Sequence, residues 1–249
     1  MTKKLEGKVA LVTGGSRGIG AAIAKALADD GANIAISYTS SASKAQDLVS
    51  ELESKGVRAV AFQADQADSK QVEGLVNKVA EYFGRLDILV NNAGVAVTGL
   101  VGDPSNNLSE IERQFAINVG GVVTAVRTAV KYLGEGGRII SIGSVLGDHS
   151  PFPGMSDYSA TKAAIAGYTR GWARDLGSKS ITVNIVQPGP IDTDMNPSDS
   201  EQAAGQKALL ALGRYGKPEE IAATVAFLAS PGAAFITGTT INVDGGFNA

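Results

Sequence analysis

Apolar residues along this chain come in two rhythms, and the two alternate. Short runs of Val, Ile, Leu and Ala are separated by longer stretches whose apolar positions recur three and four residues apart, the spacing of one helix face. The first run, residues 8–13, leads through a glycine-rich turn into a helical pattern over 19–30. Gly31 stops that helix, and residues 33–38 read as a second strand. The series continues with a helix over 45–55 closed by Gly56, a strand over 58–63, a helix over 70–83 and a strand over 86–90. Beyond it the pattern predicts one long helix over 108–133, a strand over 138–142, a second long helix over 158–176 and a strand over 181–186. Residues 218–229 and 239–243 supply a last helix and a last strand.

The strand runs are near-continuously apolar instead of alternating, which is what a sheet buried on both faces requires. Strand–helix–strand units repeated about six times imply right-handed crossovers and parallel strands. No Pro/Ser-rich linker divides the chain. The expectation is α/β: one doubly wound domain over residues 1–249, with a parallel sheet of about seven strands and helices on both faces.

Composition narrows the chemistry. There is no cysteine and a single histidine, His149, so disulfides, thiol nucleophiles and cysteine-bound metals are excluded and a histidine-rich zinc site is not available. A Ser-His-Asp triad would have to use His149. Proton transfer therefore falls to Tyr, Lys, Asp, Glu or water. The net charge of −3 is spread along the chain without a basic cluster, which argues against a nucleic-acid partner. The opening residues do not read as a signal peptide, and the longest uncharged apolar stretch near the end, 221–229, is too short to span a membrane. A cytoplasmic location without membrane contact is expected.

The turn after the first strand reads Thr13-Gly14-Gly15-Ser16-Arg17-Gly18-Ile19-Gly20. Glycines at 14, 18 and 20 let the backbone bend sharply, and the helix that follows aims free N–H groups and its positive dipole end at the turn, a seat for a pyrophosphate. Asn91-Asn92-Ala93-Gly94 ends the fourth strand. Asn118 lies on the long helix, Ser144 follows the fifth strand, and Tyr158 and Lys162 are four apart on the next helix. Pro188-Gly189 follows the sixth strand and Asp244-Gly245-Gly246 the last. In this order and spacing the motifs resemble the short-chain dehydrogenase/reductase family over essentially the whole chain. The resemblance implies a Rossmann-type domain, a nicotinamide cofactor and hydride transfer to a carbonyl.

The second strand ends in Tyr38, Thr39 and Ser40, with no carboxylate to bind a ribose 2′-hydroxyl; hydroxyls and amides there suit a 2′-phosphate. In similar reductases a basic residue at the position of Arg17 pairs with that phosphate, so NADP(H) is the expected cofactor; the alternative is a solvated surface arginine. The resemblance also places Asp65 near the adenine, Asn91, Ala93 and Gly94 beside the ribose, and Pro188, Gly189, Ile191 and Thr193 near the carboxamide, with Ser16 and Ile19 completing the phosphate turn. Asp65 has a second reading as the N-cap of the helix after it.

Tyr158 is the expected proton donor and Ser144 the group that holds the carbonyl oxygen. Lys162, facing the same way as Tyr158, should lower the tyrosine pKa, and the resemblance implies that it also holds the nicotinamide ribose. Asn118 would hold a relay water, or simply pack. Ser141 rivals Ser144 but lies within a strand, His149 reads as a loop residue near the site mouth, and Trp172 as core or subunit contact. Val95, Val97, Leu146, Phe152, Met155 and Met195 suggest an apolar pocket for a ketone or aldehyde, with residues 191–213 as a lid. A 3-oxoacyl thioester on acyl carrier protein is the alternative substrate, with Arg113, Arg127 and Lys131 as candidate carrier contacts. A nucleotide-binding sensor without turnover is the rival from another class. Small residues on the two long helices (Gly120, Gly121, Ala125, Ala160, Ala163, Ala164, Gly167) permit close helix pairing. Members of the family that the chain resembles pair through such faces, and the resemblance implies a homotetramer.

Overall fold

The alternating runs build one seven-stranded sheet in the order β3-β2-β1-β4-β5-β6-β7, every pair parallel, in a computed structural model that describes residues 3–249. The strands are β1 (Val9–Val12), β2 (Asn33–Tyr38), β3 (Ala59–Gln63), β4 (Ile88–Asn91), β5 (Arg138–Ile142), β6 (Thr182–Pro188) and β7 (Thr240–Val243). The order reverses direction between β1 and β4, so loops leaving these two strands diverge and open a crevice at their C-terminal ends.

Helices α1 (Gly18–Asp29), α2 (Ala42–Ser54) and α8 (Pro218–Ala229) cover one face around Ile23, Leu27, Leu52, Val225 and Leu228. Helices α3 (Ser69–Phe83), α5 (Val122–Ala129) and α6 (Ser156–Leu176) cover the other around Val72, Val76, Val126 and Leu176. Strand residues of β1, β4 and β5 enter the two cores alternately and are almost completely buried, which accounts for their unbroken apolar composition. Among the described residues, no helix is long and apolar enough to cross a membrane.

At the N-terminal edge of the sheet Asp87 ties the start of β1 to the turn before β4. Its carboxylate accepts from Val9 N (2.9 Å), from Arg85 Nε (2.8 Å) and Nη2 (2.6 Å), and from Lys8 Nζ (3.3 Å). Burial works to raise its pKa, but the Arg85 guanidinium, the Val9 amide and Lys8 outweigh it and hold the carboxyl below its ordinary value.

Two expectations change. The helix predicted over 108–133 is α4 (Leu108–Phe115) and α5 with a π-helical segment, Ala116–Gly121, between them. The apolar spacing alone does not separate 3.6 residues per turn from a wider turn over six residues. The lid stretch contains a short helix, α7 (Ala203–Ala208), whose Ala-Ala-Gly-Gln-Lys-Ala sequence carries no amphipathic pattern.

Candidate active site

The glycine turn is stitched to both neighbouring strands. Thr13 Oγ1 accepts from the amides of Asn92 (3.0 Å) and Ala93 (3.1 Å), and Asn92 Nδ2 donates to the carbonyls of Thr13 (2.9 Å) and Gly14 (3.0 Å). From the β2 side, Ser37 Oγ accepts from Gly14 N (3.1 Å). Gly14 has φ +62°, and a Cβ there would stand 2.9 Å from Ala93 Cα; a Cβ on Gly20 would stand 2.5 Å from Asn92 Nδ2. Both glycines thus let the turn close against the loop after β4. Arg17 precedes α1 in extended conformation, and no described side chain caps the helix. Its first-turn N–H groups, with Ser16 and Ile19 half-buried beside them, are left free for an anion.

At the ends of β2 and β3, Tyr38 is half-buried and Thr39 and Ser40 are exposed. Asp65 does not cap α3: Asp68 does, accepting from the amides of Lys70 and Gln71. Asp65 accepts instead from Ala67 N (3.0 Å) and from Arg113 Nη2 (2.9 and 2.8 Å). Partial burial works to raise its pKa, and the Ala67 amide and Arg113 bring it below the ordinary value.

Asn91 closes β4, buried, with Nδ2 donating to Ser141 Oγ (3.3 Å) and Oδ1 without a partner among the described residues. Ser141 is thereby held inside the sheet. Ser144 follows β5, its hydroxyl accepting from Leu146 N (3.2 Å) and lying beside the Tyr158 phenol. Lys162 is 7% exposed and reaches back to Ile142 O (3.0 Å), its Nζ 5.6 Å from the Tyr158 ring centroid. A Cβ on Gly94 would be 3.5 Å from that Nζ, so the loop after β4 and the lysine share one wall.

Burial pushes the Lys162 ammonium down to about 8. The expected lowering at Tyr158 is not found. Crowding of the phenol end by protein raises its pKa, and the opposing effect of the Ser144 hydroxyl is smaller. A phenolate there would lose more hydration than its neighbours return.

Asn118 lies within the π segment, and its side chain makes three hydrogen bonds. Oδ1 accepts from Val95 N (3.0 Å), and Nδ2 donates to Val95 O (2.9 Å) and Thr161 Oγ1 (3.1 Å). The asparagine thus fastens the loop after Gly94 to α6, with one lone pair of Oδ1 left over. Gln114 does the same one turn earlier, accepting from Val97 N (2.6 Å).

Pro188 and Gly189 end β6, and the chain returns over the crevice. Ile191 is buried and bridges to Gly216, and Thr193 Cγ2 lies 3.5 Å from where a Cβ on Gly18 would be. The chain therefore brings the glycine turn, residues 91–94, Ser144, Tyr158, Lys162 and residues 188–193 to the C-terminal ends of β1, β4, β5 and β6. Tyr38, Thr39, Ser40 and Asp65 extend the row over β2 and β3.

Beside this row Leu146 and Phe152 pack against Val145, Ala203, Leu210, Tyr215 and Phe247. Met195 is largely exposed, and the His149 ring lies 6.3 Å from that of Phe247. Sequence reasoning missed Phe247 as a member of this apolar cluster, although it follows the Asp244-Gly245-Gly246 motif directly. It also passed over Ser37, whose signal was a hydroxyl within a buried strand, and Thr13 and Asn92, which stand inside the quoted motifs. Of the small residues expected on a pairing face, Gly121 and Ala125 point into the fold, while Gly120, Ala160, Ala163 and Gly167 are exposed.

A family model described as enoyl-(acyl carrier protein) reductase matches residues 14–248. The chain is 45% identical, over 98% of each chain, to the cyclic-di-GMP-binding biofilm dispersal mediator protein of Escherichia coli. It is 43% identical to the 3-oxoacyl-[acyl-carrier-protein] reductase of Staphylococcus aureus, over 96% of this chain and 97% of that one. Among solved structures, a short-chain dehydrogenase of Burkholderia cenocepacia in complex with NADP superposes with a TM-score of 0.97, at 53% identity, covering 99% of this chain and 100% of that one. With matches of this length and identity, and its motifs gathered along one sheet edge, the chain belongs to the short-chain dehydrogenase/reductase family of oxidoreductases.

Proposed function

We propose that this protein is an NADP(H)-dependent carbonyl reductase that converts a ketone or aldehyde into an alcohol. The observation that carries the reading is the convergence of Ser144, Tyr158 and Lys162 beside the crevice. Lys162 is buried there with a single described acceptor, Ile142 O, for its three protons. The chain also fits the cofactor: among the described residues α1 begins with uncapped N–H groups and Asn91 Oδ1 is buried without a donor, and no carboxylate stands at the end of β2 to repel a phosphate. The bound NADP of the Burkholderia relative supports the same choice.

When bound, the reduced nicotinamide supplies the hydride. In this reading the Tyr158 hydroxyl gives the proton that the developing alkoxide needs, and the Ser144 hydroxyl holds the same oxygen in place. The raised Tyr158 pKa keeps the phenol protonated at neutral pH, the form that reduction requires. Lys162, with N–H groups to spare, binds the nicotinamide ribose and places a positive charge near the phenol. Asn118 positions the loop after Gly94 by holding both main-chain groups of Val95. The apolar wall of Leu146, Phe152 and Phe247 suits a substrate without strong charge. The test is loss of NADPH absorbance with a panel of ketones and aldehydes; turnover with none of them would remove this reading.

Identity to the Staphylococcus reductase favours a second substrate, a 3-oxoacyl thioester on a carrier protein. One of its candidate carrier contacts is occupied, however: Arg113 by Asp65, at 2.8 and 2.9 Å. Turnover of acetoacetyl thioester alone would shift the assignment to it. The name of the Escherichia coli relative makes a sensor the third reading, supported if cyclic-di-GMP binds and no carbonyl compound is turned over.

A homotetramer belongs to the same proposal. The fully exposed Phe235 and the partly exposed Phe227, Phe115 and Tyr168 leave apolar surface that subunit contacts would cover. Light scattering should give the mass of four chains, and a monomer would overturn this.

A further inference from the structure

We infer that Lys44 joins Arg17 in seating the 2′-phosphate of the cofactor, and that Asp194 competes with that phosphate for both cations. The inference rests on the NADP(H) reading above. Arg17, before α1, and Lys44, in the first turn of α2, come from different elements, yet both point at one atom. Arg17 Nη1 is 3.7 Å and Lys44 Nζ 3.5 Å from Asp194 Oδ2. Two side chains that reach the same carboxylate oxygen can reach one phosphate.

Charge favours the exchange. Asp194 brings one negative charge to two positive ones, whereas a phosphate monoester near neutral pH carries about −1.5 to −2. All three side chains are more than half exposed (60%, 57% and 64%), so water screens the carboxylate's hold and it is readily displaced. Position agrees as well. Lys44 lies four residues after Ser40, where the chain leads from the end of β2 into α2, and no described side chain caps the N-terminus of α2. Thr193, next to Asp194, rests against Gly18, which sets Asp194 beside the glycine turn. The segment after β6 thus lays its own anion over the cations that distinguish NADPH from NADH. Sequence reading passed over Lys44 because nothing along the chain links it to a carboxylate 150 residues away.

Titration calorimetry with NADPH, NADH and adenosine 2′,5′-bisphosphate, on the full chain and single variants, tests this. Lys44→Gln should weaken NADPH and the bisphosphate roughly 10-fold, the size of one lost charge-assisted hydrogen bond, with NADH little changed. Asp194→Asn should tighten NADPH roughly 2- to 5-fold, the range set by exposed ion pairs. In the double variant the gain from Asp194→Asn should shrink, because one of the contested cations is gone. Lys25→Gln, which removes a cation paired to Glu51 at 2.8 Å, sets the level expected from net charge alone. If Lys44→Gln matches that control or weakens NADH equally, Lys44 has no part in the seat. If Asp194→Asn leaves NADPH affinity unchanged, there is no competition. A wild-type chain that binds NADH as tightly as NADPH would sink the cofactor reading itself, an outcome visible without any variant.

Discussion

Asp87 and Lys162 are charges withdrawn from water at opposite ends of one sheet, and the chain treats them in opposite ways. At the N-terminal edge Asp87 collects an amide, an arginine and a lysine, and its pKa falls. At the C-terminal edge Lys162 finds one carbonyl, and its pKa also falls, to about 8. The same direction means opposite things. For an acid, a lowered pKa says that the fold favours the charged form; for a base, it says that the fold resists it. One edge is built for stability. The other keeps a charge that the fold would shed, and at the same edge Asn91 Oδ1 has no donor among the described residues. Such cost is expected where a ligand supplies the missing partners.

The strongest way to break this contrast is Tyr158→Phe, which removes the proposed proton donor and leaves the packing. Turnover should fall roughly 10²- to 10⁴-fold while NADPH still binds. A smaller loss, measured under saturating cofactor, would move the chemistry elsewhere.

Lys162→Met comes next, because it should cost activity and raise stability together. Holding this ammonium in the fold costs on the order of 3 kcal/mol, judged from its displacement from 10.5 to about 8. Because the folded pKa is depressed for a base, that cost is present below pH 8 and fades between pH 8 and 10.5. At pH 7 the variant should gain about 1–3 kcal/mol in denaturant unfolding, and the gain should vanish above the upper limit. Loss of stability at pH 7 would show that Lys162 is a structural residue.

Asp87→Asn should do the reverse: turnover per folded molecule unchanged, stability at pH 7 lower by about 1–2 kcal/mol. Its contribution is complete above the ordinary carboxyl value of 3.8 and is lost as pH falls through the lowered folded value. Wild type and variant should therefore converge in acid. Arg17→Ala is the mildest change. With the side chain 60% exposed, the preference for NADPH over NADH should drop roughly 10-fold, read as a ratio of Kd values.

Much of the fold was legible because both faces of the sheet are covered. Buried parallel strands leave uninterrupted apolar runs, and glycines such as Gly31, Gly56 and Gly84 mark where helices stop, each at positive φ. The row of site residues was legible for another reason: its motifs resemble those of a known family, and most follow the C-terminal end of a strand, whereas Tyr158 and Lys162 are brought to the row by α6. What could not be read were pairings across the chain. Arg113 and Asp65, or Asn118 and Val95, carry no mark of each other in their local sequence. The Tyr158 pKa was misjudged for the same reason, since the spacing shows a lysine nearby but not how much protein crowds the phenol.

The π segment at Ala116–Gly121 also governs which length changes this chain tolerates. A helix turns about 100° per residue, and a π segment amounts to one residue added to it. Deleting a residue there would restore even winding and leave α4 near its present phase. Deleting one from the regular turns of α5 has no such relief and would swing α4 by about 100° against the rest of the helix. Gln114 would then leave Val97, and Arg113 would leave Asp65. Deletions that exposed loops absorb would thus be filtered out of those regular turns during descent, and their length, more than their composition, would be what inheritance preserves.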